Sequence, residues 1–129
     1  MLRVEIRKRR ADFLLDAAFH APTPGVTALF GRSGCGKSTL ISLISGLLMP
    51  DAGRVVLDDE VLYDSDRHLS VDARHRRIGV VFQDARLFPH LSVRGNLDYG
   101  ARRVTRAAPR PVAFDDVAKA TGAGAGPVT

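Results

Sequence analysis

A glycine-rich stretch contains the residues of this chain that are best suited to bind phosphate. It reads Gly31-Arg32-Ser33-Gly34-Cys35-Gly36-Lys37-Ser38-Thr39 and fits the pattern G-x-x-x-x-G-K-[ST] without a mismatch. We expect positive φ angles at its three glycines, because that backbone conformation lets successive N–H groups turn inward around phosphate oxygens. This stretch, called the P-loop below, is therefore predicted to bind the phosphates of a nucleotide.

Two side chains at the end of the P-loop would complete such a site. Lys37 carries a positive charge that can reach the β- and γ-phosphates, and Ser38 offers the hard hydroxyl oxygen that Mg²⁺ prefers. The apolar run 26–30 predicts a strand before the loop. The apolar spacing of 40–48 predicts a helix that begins near Gly36, where its N-terminus would attract anions. This context argues against a chance match in a glycine-rich turn.

The composition is that of one globular domain with a basic charge. The chain has 129 residues, 45% of them hydrophobic, and 19 Lys and Arg against 14 Asp and Glu give a formal charge of +5. The positive residues cluster at 7–10, 74–77 and 102–103. Such clusters can bind nucleic acid, but no aromatic residues interleave them as a base-stacking surface requires. We interpret them as solvated faces, or as surfaces that attract nucleotide phosphates or anionic lipid headgroups, and expect no nucleic-acid partner.

Cysteine usage and hydropathy give expectations about the compartment. Cys35 is the only cysteine, which fits a reducing environment without an intramolecular disulfide. Charged residues at 3, 5, 7 and 8 interrupt any signal-peptide core, and the apolar stretch 40–48 is far short of the roughly 20 residues of a membrane span. We expect a soluble chain that reaches a membrane only through a partner.

Periodicity along the chain predicts an α/β organisation. Alternation over 2–8 predicts an amphipathic edge strand, and the polar segment 64–77 predicts a loop with one helical turn. The Gly/Ala-rich residues 121–129 predict a disordered tail after a domain of residues 1–120. Further strands are predicted at 13–19, 54–58, 61–63 and 78–82, a turn at 58–60, and helices at 93–103 and from 114 to 120.

A second stretch, residues 80–97, carries a resemblance to a known family. It reads Val-Val-Phe-Gln-Asp-Ala-Arg-Leu-Phe-Pro-His-Leu-Ser-Val-Arg-Gly-Asn-Leu, and together with the P-loop it closely resembles ATP-binding-cassette (ABC) transporter ATPases over residues 1 to about 120. Gln83 lies where that family has its Q-loop glutamine, which the resemblance implies contacts Mg²⁺ and the attacking water. Segment 87–93 resembles the part that meets the coupling helix of a transmembrane partner.

The resemblance has further implications. Segments 28–34, 83–90 and 93–97 look most like the ATPase subunit of bacterial molybdate importers, with sulfate, iron, polyamine and sugar importers as alternatives. It implies the N-terminal half of a P-loop NTPase, an antiparallel β-subdomain plus a truncated parallel core. It also implies ATP and Mg²⁺ as ligands, transmembrane permease subunits and a second ATPase subunit as partners, and a peripheral location on the cytoplasmic face of the bacterial inner membrane.

The sequence departs from the family pattern in the groups that activate water. It contains no Leu-Ser-Gly-Gly signature, no strand of four apolar residues that ends in Asp-Glu, and no switch histidine after such a strand. Residues 112–116 imitate that strand, but Pro109 and Pro111 disfavour it. We expect a chain that does not turn over ATP by itself. It is either a fragment of an importer ATPase or a nucleotide-binding module that pairs with complete ATPases; a small kinase is disfavoured by the segment around Gln83.

Recognition of the base is the least defined feature. The family often stacks an aromatic side chain on adenine from the region of residues 5–12, which contains none here. Phe13 is the nearest candidate, and Arg9 or Arg10 could stack instead. The histidines have no spacing typical of metal ligands, and we expect surface or packing roles for all four, His20, His68, His75 and His90.

Overall fold

The structure, a computed structural model, describes residues 1–84, 86–102 and 116. The chain divides into two units, Met1–Val81 and Phe82–Thr129. The first unit contains a five-stranded sheet, one α-helix and a 3₁₀ turn at Ala73–His75, and the second contains one described α-helix, α2 (Val93–Ala101). The elements of the first unit are β1 (Leu2–Arg9), β2 (Leu14–Ala21), α1 (Lys37–Ser45), β3 (Ala52–Leu57), β4 (Glu60–Asp64) and β5 (Leu69–Ser70).

The sheet is antiparallel throughout, with the strand order β2-β1-β3-β4-β5. The predicted alternation of β1 is confirmed, because Val4 and Ile6 are buried while Glu5 and Arg7 are not. Its predicted edge position is wrong, since β1 pairs with both β2 and β3. Alternation of side chains reports which face of a strand is buried, whereas the number of neighbouring strands depends on the whole topology.

The hydrophobic core lies between α1 and one face of the sheet. Leu40 and Leu43 of α1 belong to one cluster with buried side chains of β1, β3 and β4. Complete burial of a side chain of this size contributes about 1.5–3 kcal/mol, so this cluster anchors α1 to the sheet. Because the P-loop runs directly into α1, the core also fixes the end of the P-loop.

The turn between β3 and β4 is a two-residue hairpin. Asp58 and Asp59 have φ angles of 44° and 73°, as a type I′ turn requires. The predicted turn at 58–60 is therefore confirmed. The strands predicted at 13–19, 54–58 and 61–63 also form, with bounds that differ by one to two residues.

The strands predicted at 26–30 and 78–82 are wrong: neither segment is a strand in the structure. Val26 and Val81 are almost fully exposed, at 100% and 98%. A strand needs a partner for its backbone N–H and C=O groups, and every pairing among the described residues belongs to the antiparallel sheet. The predicted truncated parallel core is consequently not confirmed.

Two other predictions concern the second unit. The helix predicted at 93–103 forms as α2, and the Ser92 side chain caps it by accepting a hydrogen bond from the N–H of Gly95 at 3.0 Å. The helix predicted from 114 to 120, apart from residue 116, and the tail predicted for 121–129 lie outside the described residues.

Asp51 connects the end of β1 to the start of β3 through hydrogen bonds. Its carboxylate accepts hydrogen bonds from the N–H of Arg9 at 2.8 Å and from Nζ of Lys8 at 3.0 Å, and its own N–H donates to the carbonyl of Arg7 at 2.9 Å. The bond from the Arg9 backbone, and then the Lys8 ammonium, lower the pKa of Asp51 below its ordinary value of 3.8. A carboxyl group whose pKa is lower in the folded state stabilises the fold above its unfolded-state pKa.

We predict that Asp51→Asn lowers stability above about pH 5, where the parent carboxyl group is ionised, and has a progressively smaller effect from about pH 5 downward. The stabilisation in the parent should disappear as the pH falls through the lowered pKa. Urea unfolding across this pH range measures the difference between the two proteins. Asp12→Asn, at an exposed site without a hydrogen bond among the described residues, is the control. A difference that stays constant with pH would contradict the role given to the Asp51 charge.

Candidate functional site

The P-loop is folded around the ammonium group of Lys37. Nζ donates hydrogen bonds to the carbonyl oxygens of Gly31 at 2.6 Å and Arg32 at 2.7 Å, and it lies 3.6 Å from Sγ of Cys35. All of these partners belong to the P-loop itself. An ammonium has three protons to donate, and only two of them are directed at oxygen. The third is directed at a weak sulfur acceptor and is available to a stronger one.

The glycines of the P-loop are required for two different reasons. Gly34 and Gly36 have φ angles of 78° and 102°, which confirms the predicted positive values. Gly31 does not have a positive φ, so the prediction for it is wrong. A Cβ atom at Gly31 would lie 2.6 Å from Sγ of Cys35, so a larger residue there would have to displace the Cys35 side chain.

The N-terminus of α1 follows the loop directly. Gly36 is the N-cap residue in a left-handed conformation, no side chain caps the helix, and no acidic residue lies in its first turn. The first paired N–H is that of Leu40, which donates to the carbonyl of Gly36 at 2.8 Å. Within the described part of the chain, the N–H groups of residues 37–39 have no acceptor. Uncapped N–H groups and the helix dipole together favour an anion.

The hairpin between β1 and β2 lies beside the P-loop. A Cβ atom at Gly36 would approach Cδ1 of Leu15 and Cε2 of Phe13 to 3.1 Å, so both side chains contact the loop. Between this hairpin and α1 lies a surface cavity of about 460 Å³. The structure thus brings the three predicted base-stacking candidates to one place next to the first turn of α1. The lining of this cavity includes Lys8, Arg9, Arg10, Phe13 and Thr39.

Arg76 contacts the opposite end of α1, which the sequence analysis did not anticipate. Nη1 donates to the carbonyls of Leu43 at 3.2 Å and Ile44 at 2.9 Å, and Nε donates to the carbonyl of Val71 at 2.7 Å. The residue is only 3% exposed, and burial lowers the pKa of its guanidinium. The interpretation of cluster 74–77 as a solvated face is therefore wrong for this arginine. Its neighbours in the cluster are also charged, so composition gave no signal that singled it out.

Gln83 and the segment predicted to meet a transmembrane partner lie in the second unit. The Gln83 residue is exposed. Segment 87–93 presents apolar side chains, with Leu87 65% and Val93 49% exposed. The Phe88 ring packs against that of Tyr99 with a centroid distance of 4.4 Å, which attaches the segment to α2.

Asn96 of α2 holds this segment in shape through hydrogen bonds that the sequence analysis missed. Its Oδ1 accepts from the N–H of Phe88 at 2.7 Å. Its Nδ2 donates to the carbonyls of Phe88, Leu91 and Ser92 at distances of 3.0–3.2 Å. One amide side chain therefore closes the loop from Phe88 to Ser92 onto the first turns of α2.

We predict that Asn96→Ala accelerates amide hydrogen exchange at Phe88 by about tenfold or more, because that N–H loses its acceptor. Asn96→Asp keeps an oxygen acceptor for the Phe88 N–H but loses the donations from Nδ2, so protection at Phe88 should largely persist. Exchange measured residue by residue by NMR compares the three proteins. Equal exchange at Phe88 in the parent and Asn96→Ala would contradict the role of this side chain.

The described residues contain neither a metal cluster nor a membrane-spanning helix. In that part of the chain, no group of three or more His, Cys, Asp or Glu side chains could hold a metal ion. The helices that the structure describes are too short and too polar to cross a membrane. The predicted surface positions of the histidines are confirmed, since all four residues are exposed.

A larger surface depression than the cavity beside the P-loop, of about 690 Å³, lies elsewhere, on the sheet near β1, β2 and β3. Two arginines in its lining are already paired with carboxylates. Arg7 pairs with Asp16 at 3.0 Å, and Arg54 pairs with Asp64 at 3.4 Å. We therefore place the candidate site at the P-loop, where a cation and free N–H groups converge.

Comparison with known proteins adds a family assignment. The P-loop and the helix that follows it define a P-loop nucleoside triphosphatase, and residues 14–124 match the ABC transporter family. The chain belongs to the ABC transporter family.

The similar curated proteins include three with the same name, "Molybdenum import ATP-binding protein ModC". That of Rhizobium meliloti is 60% identical over 99 residues, which are 77% of this chain and 28% of the relative. That of Aliivibrio fischeri is 48% identical over 119 residues, which are 92% of this chain and 31% of the relative. That of Pasteurella multocida is 45% identical over 124 residues, which are 96% of this chain and 34% of the relative. The chain spans about a third of the length of these relatives.

Proposed function

We propose that the chain binds Mg-ATP through its P-loop and forms the N-terminal part of the ATP-binding subunit of a molybdate importer. The observation that carries the proposal is the position of the Lys37 ammonium, bound to the Gly31 and Arg32 carbonyls at 2.6 and 2.7 Å. This ammonium lies in the same loop as the unpaired N–H groups at the start of α1. A cation and oriented N–H groups in one loop suit a polyphosphate better than a neutral ligand.

The residues present fit Mg-ATP. The P-loop, residues 31–39, would hold the phosphates, and the third proton of the Lys37 ammonium would go to a phosphate oxygen. Ser38, exposed in the first turn of α1, would supply a hydroxyl ligand to Mg²⁺. Gln83 would contact Mg²⁺ and the attacking water, a role taken from the family resemblance. The bound nucleotide would supply the phosphoanhydride whose cleavage drives transport.

The adenosine end of the nucleotide would occupy the cavity between the β1–β2 hairpin and α1. This cavity adjoins the first turn of α1 through Thr39, and its lining combines a ring with cationic side chains. Phe13 can stack on a base by its face, and Arg9 or Arg10 can do so by the plane of the guanidinium. Phe13 or one of these arginines would then take the place of the aromatic residue that the family often supplies.

The importer assignment comes from the relatives. Those named above are molybdenum import ATP-binding proteins. We propose permease subunits and a second ATPase subunit as partners, on the cytoplasmic face of the bacterial inner membrane. The exposed apolar side chains of 87–93 support contact with a transmembrane partner through this segment. Sulfate, iron or polyamine importers are the alternative systems.

A chimera tests the importer assignment. The matched segment of the Rhizobium meliloti relative is replaced by the 99-residue segment of this chain that aligns with it, and molybdate uptake is measured in cells that lack their own importer ATPase. We expect uptake, and we expect none when the chimera carries Lys37→Ala. A chimera that is made and folded but supports sulfate uptake and no molybdate uptake would contradict the molybdate assignment.

We also propose that the isolated chain does not turn over ATP. A general base contributes about 10²–10⁴-fold to such reactions, and the sequence contains no strand of four apolar residues ending in Asp-Glu and no Leu-Ser-Gly-Gly. The Gln83 amide cannot replace a carboxylate base. The measurement is phosphate release by monodisperse protein, with Lys37→Ala to correct for contaminating ATPases. A rate present in the parent and absent from Lys37→Ala would mean that another group, with Asp84 as the first candidate, acts as the base.

A further inference from the structure

The C-terminal end of α1 holds a buried charge without a buried counterion. The Arg76 guanidinium makes three hydrogen bonds, all to backbone carbonyls, and two of these carbonyls are in the last turn of α1. Among the described residues no carboxylate pairs with it. Burying an unpaired charge is costly. The carbonyl oxygens and the negative end of the helix dipole are the groups that offset this cost.

The helix itself depends on such support. α1 has nine residues, fewer than an isolated helix needs to be stable in water. Its N-cap is Gly36 without a side-chain hydrogen bond, because that end faces the P-loop. α1 is thus stabilised by the contacts of its core side chains and by the contacts at its C-terminal end.

Gly46 and Arg76 form one closely packed unit at this end. Gly46 closes α1 in a left-handed conformation with φ of 84°. A Cβ atom at this position would lie 2.7 Å from Nε and 2.9 Å from Cζ of Arg76. The guanidinium therefore lies directly against the backbone of the turn that ends α1. Leu43, whose carbonyl it binds, is fully buried in the core.

We propose that Arg76 is a positioning residue for nucleotide binding. This inference rests on the proposed binding of Mg-ATP at the P-loop. Arg76 holds the C-terminal turn of α1 against the segment 71–76 while the N-terminal turn of the same helix receives the phosphates. A cation at the C-terminus and an anion at the N-terminus both favour the helix dipole, so each stabilises the helix to which the other binds. Loss of Arg76 should weaken phosphate binding although this residue does not touch the nucleotide.

The test compares dissociation constants for Mg-ATP, by calorimetry, at a temperature where each variant is folded by circular dichroism. We expect Arg76→Ala to bind about tenfold more weakly than the parent, the upper range of a partly buried charge at a helix end. Arg76→Lys, which keeps a cation but loses the planar fork, should fall between the two. Arg74→Ala, which removes an exposed neighbour of the same cluster, should bind as the parent does.

A second control separates positioning from stability. Ile6→Val removes a methylene group from the core without touching the carbonyls of α1, and it should lower the unfolding midpoint while leaving the dissociation constant unchanged. If Arg76→Ala does not fold, Arg76→Lys decides the question. If folded Arg76→Ala binds Mg-ATP as tightly as the parent does, the inference about Arg76 is overturned and the proposed function is not. If Arg76→Ala does not fold, parent-like binding by Arg76→Lys has the same meaning. Weakening of the same size in Ile6→Val would also overturn it, and failure of the parent to bind would overturn the proposed function as well.

Discussion

Replacing Lys37 by alanine should lower the affinity of the chain for Mg-ATP by about 100-fold, since a hydrogen bond to a charged group contributes about 1.5–3 kcal/mol and a phosphate oxygen would lose its main cation. The ammonium lies among the P-loop carbonyls at 2.6 and 2.7 Å, and its removal also leaves those carbonyls without their donor. The loop would then lose both its charge and the contacts that close it. Equilibrium titration with fluorescent ATP measures the change.

The controls for this prediction address charge and folding. Lys8→Ala removes one positive charge at the edge of the hairpin, where Lys8 pairs with Asp51 at 3.0 Å, and should reduce affinity much less. Circular dichroism of Lys37→Ala should match that of the parent, because Lys37 is not part of the core cluster. Equal affinity of the parent and Lys37→Ala would show that the nucleotide does not bind at this loop.

Replacing Gly53 by alanine should destabilise the fold by about 3–5 kcal/mol, the sum of backbone strain and overpacking. Gly53 has a φ angle of 117° and pairs with Ile6 of β1. A Cβ atom there would lie 2.0 Å from the carbonyl oxygen of Glu5 and 2.8 Å from Cα of Ile6. Both are backbone atoms of the neighbouring strand, so no side-chain rotation can relieve the clash. The pairing of β1 with β3 must yield instead.

Chemical unfolding compares Gly53→Ala with a second glycine variant as control. Gly79 does not have a positive φ, and a Cβ atom at Gly79 would meet nothing within 4 Å. Gly79→Ala should therefore leave the unfolding midpoint nearly unchanged, whereas Gly53→Ala should remove a substantial part of the usual 5–15 kcal/mol of stability. Similar midpoints for the two variants would contradict the close approach of β1 and β3 at this position.

The features that the sequence predicted correctly are those that depend on local pattern. The Gly34 and Gly36 conformations follow from the P-loop pattern, α1 follows from apolar spacing, and the buried face of β1 follows from alternation. In each case a few consecutive residues determine the outcome. The turn at Asp58 and Asp59 belongs to the same group, because two residues determine its geometry.

The features that the sequence did not predict depend on residues distant along the chain. Arg76 is separated by more than thirty residues from the helix carbonyls that it binds, and nothing in a run of basic residues identifies the buried one. Residues 26–30 have the composition of a strand, but a strand forms only where a partner lies alongside.

The central claim is that the P-loop binds the β- and γ-phosphates of a nucleotide, and a titration series of the purified chain tests it most directly. Calorimetry with ATP, ADP and AMP in the presence of Mg²⁺ measures how affinity depends on the number of phosphates. We expect one site that binds ATP and ADP, with AMP weaker by about tenfold or more because it lacks the groups that Lys37 and the first N–H groups of α1 would hold. Equal affinity for AMP and ATP, or no saturable binding of ATP by the folded chain, would contradict the claim.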